Sequence, residues 1–144
     1  MKKILLALTL IGAGMTSIPE AYADEVWTTE EYDVVYQAER NETAIWTYGE
    51  ENEGTIFIDG LAGVYTGRGE YTGYWTQETS SIRCDTYREG ADGGPTYHWG
   101  RFEIAFIDPD FPSRWHAHFG LCDRAATIPL NGTPIEAPAA AAQQ

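Results

Sequence analysis

Apolar and polar side chains alternate with a period of two along most of the chain, and the longest such pattern covers residues 97–123, YHWGRFEIAFIDPDFPSRWHAHFGLCD. Two alternating runs flank Asp108-Pro109-Asp110-Phe111-Pro112-Ser113, where turn formers cluster, so the stretch predicts an antiparallel β-hairpin. With Ile107 opposite Arg114, Phe102, Ile104 and Phe106 share one face with Trp115, Ala117, Phe119 and Leu121. Arg101, Glu103, Arg114, His116 and His118 take the other face. A slip of one residue would bury those charges, and this fixes the expected register.

The same alternation recurs upstream. Tyr32, Val34, Tyr36 and Ala38 fall on one face, Arg40-Asn41-Glu42 turns the chain, and Ala44, Trp46 and Tyr48 form the next apolar face. Residues 49–54 (GEENEG) read as an acidic turn before a short strand at 55–59. Residues 63–78 set Gly63, Tyr65, Gly67, Gly69, Tyr71, Gly73 and Trp75 at odd positions, opposite a mostly polar face. Glycine in a strand lets a neighbouring backbone or ring approach closely and permits the bends that close a sheet. Gly67-Arg68-Gly69 reads as a hairpin turn, with the corner of one long bent strand as the alternative. A short strand at 82–87 contains Cys84, and 89–95 is a turn-rich loop. No window of helical length carries an uninterrupted 3.6-residue period.

Seven to eight short strands with no room for crossover helices predict an all-β fold: a small antiparallel up-and-down barrel, with a β-sandwich as the alternative. The expected organisation is a leader at 1–23, a mobile acidic arm at 24–31, one barrel domain at 32–124, and an irregular wrap ending in a disordered Ala/Pro/Gln tail at 125–144.

The leader assignment rests on Lys2-Lys3, an uncharged run at 4–18 and Ala21-Tyr22-Ala23 as a small-residue cleavage site. That run is shorter than the roughly 18 to 20 apolar residues a spanning helix needs. The expectation is therefore a periplasmic or secreted protein without a membrane span after cleavage. Its two cysteines, Cys84 and Cys122, are then most simply one disulfide.

Charge narrows the partners. The chain carries a formal −13, and removing Lys2, Lys3 and Glu20 leaves seven arginines against 21 acidic residues, or −14. Such a surface repels phosphate backbones and anionic lipid, which argues against nucleic acid or a membrane surface as a partner; the acidity reads first as a solubility feature, with a positively charged partner as the alternative.

Gly73-Tyr74-Trp75-Thr76-Gln77, Trp99-Gly100-Arg101-Phe102-Glu103 and Gly120-Leu121-Cys122-Asp123 resemble segments of small exported bacterial proteins without assigned function. In outline, residues 32–122 also resemble the calycin-like barrels, the group of avidins, lipocalins and periplasmic inhibitors of metalloproteases. That resemblance implies an architecture and no particular binding residue.

Three functions are compatible with these features. A binding protein would hold a small apolar or aromatic molecule in the barrel, with Trp46, Tyr65, Tyr71, Trp75 and Trp115 as candidate lining. An interaction module, such as an inhibitor of an exported protease, would use the arm at 24–31 and the barrel loops. A metal-dependent enzyme would use His116 and His118, which project to one face, with Glu103 across from His118, as ligands for zinc or iron. Ser80, Ser81 and Ser113 lack a nucleophile-elbow context. No other catalytic constellation stands out, and binding or interaction ranks ahead of catalysis.

Overall fold

The computed structural model describes residues 15–16, 25–50 and 53–135. The expected leader, apart from Met15 and Thr16, and the expected tail from residue 136 lie outside these. The described residues form eleven strands and no helix, so no helix is long and apolar enough to cross a membrane. In chain order they are β1 (Met15–Thr16), β2 (Val26–Thr28), β3 (Asp33–Arg40), β4 (Thr43–Tyr48), β5 (Gly54–Asp59), β6 (Glu70–Gln77), β7 (Arg88–Glu89), β8 (Pro95–Thr96), β9 (Trp99–Phe106), β10 (Trp115–Phe119) and β11 (Ile128–Pro134).

Eight of them, β2 to β6 and β9 to β11, pair antiparallel with their neighbours in the ring, and β3 and β4 close the sheet into a barrel. The connections run up and down, with the β7–β8 hairpin inserted between β6 and β9. Met15 and Thr16 pair with Arg40 and Glu39 beyond the end of β2.

The β9–β10 hairpin has the register its pattern demands: Trp115 faces Phe106, Glu103 faces His118, and the Ile107 amide donates to the Arg114 carbonyl. Its inward face supplies Phe102, Ile104, Trp115 and Ala117 to the core. β3 departs from simple alternation. A bulge between Tyr36 and Ala38 turns Ala38 outward, against Ile45 and Phe57, and sends Glu39 inward.

Two segment boundaries differ from expectation. The expected acidic arm contains β2, whose Trp27 is completely buried, and the expected wrap contains β11, whose Leu130 is 1% exposed. A three-residue strand is too short to show a period, and Pro129 and Pro134 disguise β11 as a loop. The segment 63–69 is likewise loop, so Gly67-Arg68-Gly69 is neither a hairpin turn nor a strand corner.

Three indoles fill the barrel's middle, with Trp27 and Trp46 ring centroids 4.4 Å apart and Trp46 and Trp115 5.5 Å apart. One end is closed by the β5–β6 loop, which brings Leu61, Tyr65 and Arg68 over the core. Arg68 is buried. Its two terminal nitrogens each donate to a Glu25 carboxylate oxygen at 3.0 Å, one also donates to Ser113 Oγ at 3.0 Å, and Nε donates to the Val64 carbonyl at 2.8 Å. Removing one partner from a buried pair of this kind costs about 3–5 kcal/mol, because the other charge is left uncompensated. Burial pushes the Glu25 carboxyl up from its ordinary value, opposed by the Arg68 hydrogen bonds and charge.

Candidate functional site

The opposite end of the barrel is open. Here the inward residues nearest the strand ends line a cavity of about 340 Å³, within the size range of small-molecule pockets. Its floor is Ile56, Phe102 and Leu130, each 1% exposed, so the cavity ends on the packed core. Tyr48 and Tyr32 form one wall, stacked at 4.7 Å, and Trp75, Phe119 and Leu121 form the other side. Glu31, Gln77, Ser80 and Ser81 supply polar groups at the rim.

The local sequence explains the shape of both walls. Tyr48 pairs with Gly54, and its phenol lies where any Cβ at that position would be, so glycine is required for this ring position. The Tyr48 hydroxyl donates to the Thr76 carbonyl at 3.3 Å. Trp75 sits opposite Gly100, and its Nε1 donates to the Gly120 carbonyl at 2.8 Å. A side chain at Gly100 would displace that bond. Burial, reinforced by the charges of Glu31 and Glu53, pushes the Tyr32 hydroxyl up to about 12, so the wall is neutral at physiological pH.

The rim is anchored covalently. The Cys84–Cys122 disulfide ties the loop that carries Ser80 and Ser81 to the loop that follows β10. His98 Nδ1 accepts the Ser80 amide at 3.1 Å, and Thr96 Oγ1 donates to the Gln77 carbonyl at 2.8 Å.

Of the five aromatics expected to line a ligand site, the structure places Trp75 in this cavity and distributes the rest. Trp46 and Trp115 lie in the packed middle, where neither Nε1 has a hydrogen-bond partner among the described residues. Tyr65 is at the closed end, donating to Glu39 Oε2 at 2.6 Å beside Tyr36, which does the same at the same distance. Burial and then the Glu39 hydrogen bond raise both phenols well above their ordinary value. Tyr71 is half-buried against Phe106.

Tyr32, Tyr48 and Phe119 were legible as inward residues but not as lining. The signal that identifies them is position along the strand: Tyr48 and Phe119 end β4 and β10 at the open rim, whereas Trp46 is two residues deeper and Trp115 begins β10 at the far end.

His116, His118 and Glu103 share the outer face of β9–β10 and border a shallow groove with Asp59 and Glu70. The imidazole centroids are 6.0 Å apart. Among the described residues, no group of three His, Cys, Asp or Glu side chains is placed to hold a metal ion.

A second, larger cavity of about 610 Å³ lies on the outside of the open end, between the β4–β5 turn, the end of β6 and the β7–β8 hairpin. Glu50, Glu53, Glu78 and Asp92 line it, together with threonines and Gln77. Gln77 borders both cavities.

Comparison of the chain with known proteins gave no matching family model, no matching curated protein and no matching solved structure.

Proposed function

We propose that this is an exported, non-enzymatic binding protein that takes a small apolar or aromatic molecule into the open end of a calycin-like barrel. The observation that supports this reading is the cup of aromatic and aliphatic side chains above a packed floor, rimmed by a few polar groups. The filled middle restricts the ligand to the mouth. Export is supported by the leader pattern at residues 1–23 and by a disulfide of the kind that persists in oxidising compartments.

The test is a titration of the mature protein with the neutral probe N-phenyl-1-naphthylamine, following probe emission and quenching of the tryptophans. Saturable one-to-one binding is expected. Phe119→Arg places a charge in the apolar wall, and Leu121→Glu does so beside it, so each should weaken binding about tenfold or more; because both side chains also pack on the core, folding of each variant is checked by circular dichroism. If both variants stay folded and bind the probe as the parent does, the mouth is not the site.

A further inference from the structure

The cup and the groove beside it carry a charge asymmetry beyond the acidity of the chain as a whole. Glu31 stands on the rim of the cup, and Gln77 is common to the cup and to the groove that holds Glu50, Glu53, Glu78 and Asp92. All five carboxylates are exposed, and none takes part in an ion pair among the described residues. No arginine or histidine lines either cavity.

Six of the seven arginines are engaged elsewhere, and Arg124, beyond Leu121, lines neither cavity. Arg40, Arg68, Arg101 and Arg114 pair with Glu89, Glu25, Asp123 and Asp108. Arg83 and Arg88 lie over the rings of Tyr97, Tyr74 and Trp99. The carboxylates of the mouth are therefore left without an ion-pair partner among the described residues, beside walls made of Tyr32, Tyr48, Trp75 and Phe119. Aromatic faces attract cations through their quadrupole, and uncompensated carboxylates at a concave, low-dielectric rim focus the field on the same ligands.

Resting on the reading of the mouth as a ligand site, we infer that its ligand is an amphiphilic organic cation, an aryl- or alkylammonium. Its apolar body enters the cup, and its ammonium group stays at the rim between Glu31 and the acidic groove. The head group thus remains partly hydrated, which avoids the desolvation cost of burying a charge. An anionic or neutral molecule of the same shape gains the cup alone.

Three ligands with one body test this by isothermal titration calorimetry: 4-(2-naphthyl)butyl-trimethylammonium, the corresponding primary alcohol and the corresponding carboxylate. At low salt the cation should bind about 5- to 30-fold tighter than the alcohol, with the carboxylate weakest. That ratio should shrink toward one at 0.5 M NaCl, and also in the double variant Glu31→Gln, Glu53→Gln at low salt. Equal binding of cation and alcohol at low salt overturns the charge assignment while leaving the mouth as a site. Absence of binding by all three removes the mouth reading itself and the inference with it.

Discussion

Trp27 and Trp46 pack against each other at the barrel's centre, yet only one has its polar atom satisfied. Trp27 Nε1 donates to the Ser113 carbonyl at 2.7 Å, whereas Trp46 Nε1 has no partner among the described residues. Both are completely buried, so replacing either with phenylalanine removes a similar apolar volume. The difference is polar. Trp27→Phe leaves a buried carbonyl short of a donor, while Trp46→Phe removes an unpaired N–H. Trp27→Phe should therefore be the more destabilising by about 1–3 kcal/mol in urea unfolding. Equal midpoints would mean that ordered water satisfies Trp46. The inward direction of Trp46 was readable from alternation, but its depth was not. Glu39 was unreadable for a related reason: one bulged residue reverses its face, and nothing in the period announces a bulge. The Glu25–Arg68 pair was equally hidden, because its partners lie 43 residues apart among seven arginines and 21 acids in the expected mature chain.

Among the elements, the β9–β10 hairpin was the most legible, because both strands are long enough to show their period and charges guard its outer face. Its connecting loop carries a polar clamp of its own. Asp108 Oδ2 accepts from the Arg114 amide at 3.0 Å and from Nε at 2.8 Å, and Oδ1 accepts from a terminal guanidinium nitrogen at 3.0 Å. The Arg114 hydrogen bonds hold the Asp108 carboxyl down at about 2. Its folded value is thus below the unfolded one, so the unfolded chain binds more protons between the two. The clamp's contribution is present above the unfolded value, near 4, and disappears as pH falls through about 2. Stability measured across that window should fall more steeply with acid in the parent than in Asp108→Asn. Identical slopes would show that the clamp is equally formed in the unfolded chain. β2 and β11 were illegible for contrasting reasons. β2 is brief and follows an acid that happens to be buried. β11 tolerates its prolines because each lies where the strand has one neighbour: Pro129 pairs with His118 before β2 is reached, and Pro134 pairs with Trp27 beyond Gly132, the last partner of β10.

For the molecule as a whole, closure makes one end of the barrel a plug and the other a cup, and a single covalent link secures the cup. The Cys84–Cys122 bond spans 38 residues and includes β7 to β10 in its loop. By loop entropy it contributes about 4 kcal/mol of stability. Its position gives it a second consequence. Ser80 and Ser81 belong to the long insertion between β6 and β9, whereas Phe119 and Leu121 flank the end of β10, and the disulfide joins these two sides of the rim. The eight-stranded ladder does not depend on that link, since every barrel pairing is made by backbone hydrogen bonds. The double variant Cys84→Ser, Cys122→Ser should therefore keep a β-sheet circular dichroism spectrum and unfold about 4 kcal/mol sooner. Its affinity for the neutral naphthylamine should fall several-fold, because a wall that samples open positions presents the bound geometry only part of the time. Unchanged affinity in a folded double variant would show that the Ser80–His98 and Thr96–Gln77 hydrogen bonds hold the rim without the disulfide. A loss of affinity with sheet structure intact would show that the bond shapes the site as well as stabilising the barrel, an effect that a cysteine count alone could not have revealed.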